Sequence, residues 1–69
     1  MQITLQSMDG AQIAVAPITT DEHGYLYVNH PTFEFEFECA LYGYQEGGVS
    51  SDTIDNDDGE PYIRWVVEA

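Results

Sequence analysis

Thirteen carboxylates face one arginine and no lysine in this chain of 69 residues, a formal net charge of −12. That imbalance narrows the available folds sharply. Ion pairing cannot hold such a chain together, because Arg64 serves one or two carboxylates at most, and the remaining charge opposes any compact state by self-repulsion. Stability has to come from apolar burial, in a chain short enough to bury only roughly 60% of the surface its unfolded form exposes. Cys39 is the only cysteine, so no internal disulfide is available, and no Cys/His cluster offers a structural zinc site. The expectation is one acidic β-rich domain over residues 1–69, its core drawn from its own side chains or shared in a homodimer.

Periodicity supports strands. Residues 2–6 and 11–16 flank Asp9-Gly10. A three-residue loop, Met8-Asp9-Gly10, with glycine in the left-handed position sets Leu5 opposite Ile13 and Ile3 opposite Val15. Pro17 and the polar run 19–24 interrupt the pattern, and residues 25–28 resume it. From Phe33 to Tyr44 apolar and acidic residues alternate, which predicts a half-buried strand. Phe33, Phe35, Phe37, Cys39 and Leu41 then point to the core, with Glu34, Glu36, Glu38, Ala40, Tyr42 and Tyr44 on the other face. Pairing Val28 with Phe33 places Tyr27 and Tyr25 opposite Glu34 and Glu36. A last strand over 62–67 turns Ile63, Trp65 and Val67 inward and Tyr62, Arg64 and Val66 outward. Between these strands, residues 45–61 read as a long acidic loop with room for a helical turn or a short strand over 49–54. The predicted fold is mainly β: a twisted antiparallel sheet of four to five strands, curled or dimerised to cover its apolar face.

Catalytic signals are absent. His23 and His30 sit beside Gly24 and Pro31 as loop residues, Cys39 keeps phase with the phenylalanines, and no nucleophile triad, phosphate-binding glycine loop or metalloprotease helix occurs. The predicted protein is therefore not an enzyme and needs no cofactor. Asp55, Asp57, Asp58 and Glu60 offer oxygen ligands, but setting Gly59 at the glycine of an EF-hand loop puts Ile54 and Trp65 at its terminal ligand positions. No specific metal site is expected. No positively charged leader or membrane-spanning run is visible, which points to a cytoplasmic protein without a membrane partner.

The acids are clustered as well as numerous. Asp9 is the only one in the first twenty residues, whereas nine of the thirteen lie between Glu34 and Glu60. Same-face residues of a strand repeat at about 6.8 Å, close to the separation of phosphates along a nucleic-acid strand. Glu34, Glu36 and Glu38, with Glu46, Asp52, Asp55, Asp57, Asp58 and Glu60, form the candidate partner-binding set. Tyr25, Tyr27, Tyr42 and Tyr44 add the amphipathic rings that dominate interface energetics.

In its small size, its acidity without compensating base and its carboxylate rows, the chain resembles the nucleic-acid-mimic inhibitors of phages and mobile elements, among them anti-restriction and anti-CRISPR proteins. The likeness is one of class; it rests on composition throughout and on pattern over residues 25–60. It implies an inhibitor that occupies the nucleic-acid site of a basic host-defence complex, of CRISPR-Cas or restriction type, in the host cytoplasm, without itself binding nucleic acid. A reading from a different class is a phage or plasmid accessory module for protein–protein interaction, whose acidity is incidental.

Overall fold

The computed structural model describes residues 1–69. Its main element is an antiparallel sheet of four strands in the order β2-β1-β6-β5, where β1 is Gln2–Gln6, β2 Gln12–Pro17, β5 Ser51–Asp55 and β6 Pro61–Glu68. A small two-stranded ribbon, β3 (Thr19–Thr20) with β4 (Leu26–Tyr27), follows β2 and leads to a helix, α1 (Glu34–Gln45). The chain is thus mostly β, as its patterning predicts.

The segment of strictest alternation departs from that prediction, because Glu34–Gln45 forms helix α1 rather than a strand, with Phe33 just ahead of it. The same residues carry a second period. Phe33, Phe37, Ala40, Leu41 and Tyr44 recur at the three- and four-residue spacing of a helix face. Phe37 and Ala40 are buried, and Leu41 and Tyr44 pack against the core. Phe35 is 62% exposed, so it is no core residue. The deciding factor is tertiary. One sheet needs a cover for its apolar face, and a helix satisfies its own backbone hydrogen bonds while lying across that face. The reason for expecting a homodimer, an open apolar face, is met within the chain.

That face follows from the register. Leu5 lies opposite Trp65 and Ala14, Ile3 opposite Val67 and Ala16, and Ile63 opposite Ile54. Ile3, Leu5, Ala16, Ile54, Ile63 and Trp65 join Phe37 and Ala40 of α1 in one buried cluster. The opposite face carries Gln2, Thr4, Gln6, Val15, Arg64 and Val66 by strand alternation. Here Thr4 is buried and its hydroxyl donates to Glu68 Oε1 at 2.8 Å.

All three hairpins use one loop design. In Ser7–Ala11, Asp21–Tyr25 and Asn56–Glu60 the first N–H donates to the fifth carbonyl and the glycine N–H donates back to the first carbonyl. Gly10, Gly24 and Gly59 hold φ of +95°, +84° and +80°, a region that costs glycine no Cβ clash. The first side chain locks each loop, with Ser7 Oγ accepting from Ala11 N–H, Asp21 Oδ1 from His23 and Tyr25, and Asn56 Oδ1 from Asp58 and Glu60. The Met8-Asp9-Gly10 loop is therefore as expected. The register beyond it differs, because Gln6 pairs with Gln12 and Leu5 with Ala14, which leaves Ile13 as a bulge. The β5–β6 hairpin repeats this bulge at Tyr62, between the pairs Asp55–Pro61 and Ile54–Ile63.

The helix sits close on the sheet because Gly43 has no side chain. A Cβ there would lie 2.7 Å from Trp65 Cζ2, and Trp65 is 2% exposed. At the other end Phe33, preceding the helix, takes a left-handed conformation (φ 58°) without a side-chain cap. A bulky residue there is strained by about 1–3 kcal/mol. The His30 ring packs against it and against Phe37, with centroids 6.3 and 5.0 Å away.

Two substitution experiments test this packing. Phe37→Ala is expected to cost about 3–5 kcal/mol and Phe35→Ala less than about 0.5 kcal/mol, measured by urea denaturation; on a strand the two would cost alike. Gly43→Ala gains about 1 kcal/mol of helix propensity but overpacks Trp65 at about 1–3 kcal/mol. Its denaturation midpoint is expected to fall, whereas a loosely seated helix would gain stability.

Candidate functional site

The sheet register brings several of the acids to one end, whereas Glu68 lies at the other and Glu46 follows the far end of α1. β1 and β6 are antiparallel, with Gln6 beside Arg64 and Gln2 beside Glu68, so the Ser7–Ala11 and Asn56–Glu60 loops project from the same end of the sheet. Helix α1 begins towards that end, because Glu36 in its first turn accepts a hydrogen bond from Tyr62 Oη at 2.8 Å. The bulge explains the contact. An extra residue breaks alternation, so Tyr62 reaches the helix side of the sheet rather than the outer face assigned to it from the pattern.

Hydrogen bonding divides the carboxylates into two groups. Asp9, Asp21 and Asp52 accept backbone N–H bonds within their own turns or strand, Glu36 and Glu68 accept hydroxyls, and Glu22 pairs with His23 at 3.5 Å. Asp9, bonded by Ser7 and then Ala11, holds its carboxyl below the usual range. Glu34, Glu38, Glu46, Asp55, Asp57, Asp58 and Glu60 are exposed and make no side-chain hydrogen bond or ion pair. Arg64, the single cation among lysines and arginines, joins no ion pair and lies on the sheet face away from α1, across from Gln6 and Thr53. The fold therefore makes no use of the charge between Asp55 and Glu60 or of Glu38, whereas Glu34, in the first turn of α1, meets the positive end of the helix dipole.

Helical geometry rearranges the expected glutamate row. Glu34 and Glu38 are one turn apart on one side of α1, rising about 6 Å, and Glu36 turns away to Tyr62. The tyrosines disperse as well. Tyr27 pairs with Thr19 in the β3–β4 ribbon rather than with Glu34, and Tyr25 follows Gly24 in that ribbon's loop, 71% exposed, rather than facing Glu36. Tyr42 is 70% exposed on α1, whereas Tyr44 is half-buried against the core. Within the stretch read as one long loop, Asp52 and Asp55 stand on the edge strand β5, and Glu46 follows the last turn of α1.

One open cleft of about 220 Å³ borders this surface, lined by Val28, Asn29, His30, Glu34, Phe37 and Glu38. The sequence pattern gives no sign of it, because Val28 reads as the end of a strand paired with Phe33, Asn29–Thr32 as a tight connection and Phe37 as a strand residue on the core face. The helical spacing of Phe33, Phe37 and Ala40 is the signal that would have joined His30 to the helix. No three acidic, histidine or cysteine side chains converge where an ion could sit. At Cys39, burial first and then the Glu36 and Glu38 carboxylates push the thiol pKa up, which keeps it protonated at neutral pH. No helix is long and apolar enough to cross a membrane.

No protein-family model, curated protein or solved structure matches this chain.

The Tyr62–Glu36 contact makes a titration prediction. Chiefly through that hydrogen bond, with some burial and the nearby Glu36 charge, the Tyr62 phenol is pushed up to about 12. Because the folded value is raised above the ordinary tyrosine value, the contact's stabilisation is fully present below about pH 10. It is lost as pH rises towards 12. Ultraviolet titration of the five tyrosines should show one late transition that Tyr62→Phe removes. Unchanged curves would place the late titration elsewhere.

Proposed function

We propose that this protein is a non-enzymatic inhibitor that presents nucleic-acid-like charge to the binding groove of a basic protein in the host cytoplasm. The class of target is a defence complex of CRISPR-Cas or restriction type. The observation that carries this reading is the set of carboxylates without a structural partner: Asp55, Asp57, Asp58 and Glu60 beside one hairpin loop, with Glu34 and Glu38 on the neighbouring helix. Asn56, a neutral side chain, locks that loop, so its acids stay free to face outward. A groove evolved for phosphates places lysine and arginine where such charges can meet them, and displaces counterions in doing so. Glu34 and Glu38, about 6 Å apart along α1, keep a phosphate-like interval after the strand geometry is replaced by a helix.

The competing reading, an accessory interaction module with incidental acidity, draws on β2, an edge strand without a charged residue. An unpaired strand edge can add a partner strand whose pairing is only weakly sensitive to salt.

Competition measurements separate the two. With purified effector complexes and restriction enzymes, the protein is expected to displace labelled DNA stoichiometrically and to lose potency steeply as salt rises. Neutralising Asp57, Asp58 and Glu60 to Asn, Asn and Gln should weaken inhibition and flatten that dependence while leaving stability unchanged or slightly raised, since repulsion is relieved. The reading fails if this variant inhibits as strongly as the parent at every salt concentration, or if the protein itself forms a tight complex with DNA or RNA.

A further inference from the structure

The cleft beside the start of α1 has a chemistry more specific than diffuse negative charge. Phe37 is buried beneath it and packs at 5.0 Å from the His30 ring, with Val28 beside them. Glu34 and Glu38 stand one helical turn apart over a floor whose accessible surface comes from the half-buried Val28 and His30 ring, Phe37 being buried beneath them, and Asn29 contributes an amide at the margin. Neither glutamate has a hydrogen-bond or ion-pair partner in the fold. We propose that the cleft receives an arginine side chain from the basic partner, which deepens the function proposed above and rests on it.

Each part of the cleft matches a property of guanidinium. Its planar, weakly hydrated faces favour aromatic and aliphatic surfaces, while its edge carries five N–H donors in a fork suited to carboxylates. Lysine fits less well, since a compact ammonium keeps its hydration more strongly and cannot stack. The chain cannot fill the cleft itself, because Arg64 belongs to the outer face of the sheet. The start of α1 brings roughly half a positive charge near the cleft. Two full carboxylates outweigh it, so the local field still favours a cation.

Nuclear magnetic resonance provides the test. N-acetyl-arginine amide, N-acetyl-lysine amide and the neutral isostere N-acetyl-citrulline amide are titrated separately into the full chain, following the ring signals of His30 and Phe37. Arginine amide is expected to move both signals saturably, lysine amide more weakly and citrulline amide not at all. The double variant Glu34→Gln, Glu38→Gln should weaken arginine binding by about tenfold or more, as removal of two charge-assisted bonds implies. Asp57→Asn, Asp58→Asn should change it by less than about twofold, because those charges are screened at distance. Both glutamates are exposed, so the variant keeps the fold, which circular dichroism checks. The proposal is overturned if arginine produces no saturable shift, if citrulline matches it, or if the aspartate pair matters as much as the glutamate pair.

The competition assay distinguishes failure of the cleft from failure of the mimic reading. If the glutamate variant loses arginine amide yet inhibits DNA binding as well as the parent, the cleft is not where the partner's arginine enters, and the wider acidic surface carries inhibition. If arginine amide binds as expected while no nucleic-acid-binding protein is inhibited, the cleft stands as a guanidinium site and the mimic reading falls.

Discussion

The seating of α1 on Trp65 is the contact on which the rest of the molecule depends. A four-stranded sheet from so short a chain has one apolar face and no second sheet to cover it. The helix supplies that cover only by coming close, and it comes close at Gly43, where any larger residue would meet the buried indole. From that contact follow the burial of Phe37 and Ala40, the direction of the helix along β6 and the approach of Glu36 to Tyr62. The strained backbone at Phe33 fits the same requirement. The chain must turn sharply from the β3–β4 ribbon onto the sheet, and packing among His30, Phe33 and Phe37 offsets the local cost.

A fold held together this way uses few of its charges. The three hairpin loops close through backbone bonds, a left-handed glycine and one short polar side chain apiece. At Asp21 the locking side chain is itself an acid, whereas Ser7 and Asn56 lock the other two loops without charge. Asp57 and Asp58 therefore occupy positions where the turn asks only for compatible backbone geometry. Each of β1–β2 and β5–β6 also carries a bulge just beyond its loop, and the second, at Tyr62, ties the sheet to α1.

Local signals in the sequence are legible where local geometry decides the outcome. Asp9-Gly10 specifies its three-residue loop through glycine at positive φ, and the inward set Ile63, Trp65 and Val67 follows from alternation on a strand with one covered face. The register beyond Gly10 was not legible, since the Ile13 bulge shifts every later pair by one residue without a marker in the pattern. Phe33–Tyr44 satisfies two periods together, so its pattern does not decide between strand and helix. Phe33, Phe37, Ala40 and Tyr44 serve a helix as well as Phe33, Phe35 and Phe37 serve a strand, and the sheet's need for cover decides between them. The candidate carboxylates were legible as a population, but their arrangement was not: Glu36 leaves the row for Tyr62, and Tyr25 and Tyr27 belong to a separate ribbon.

This separation of charge from structure gives the acids their meaning. Self-repulsion among Asp55, Asp57, Asp58 and Glu60 opposes compaction, and nothing in the fold offsets it there, because Arg64 lies elsewhere and Asn56 already closes the loop. Solubility alone would be met by acids spread over the surface, including the outer sheet face, where Glu68 is the acid on β6 and already engages Thr4. A cation site would require carboxylates that converge, and these do not. What remains is a surface that holds negative charge at intervals along a loop and a helix, which under the inhibitor reading proposed above would meet an extended array of positive groups on another macromolecule. On that proposed reading, relief of the repulsion among Asp55, Asp57, Asp58 and Glu60 would add to the attraction between partners, at a loop whose closure rests on Asn56 and not on those charges.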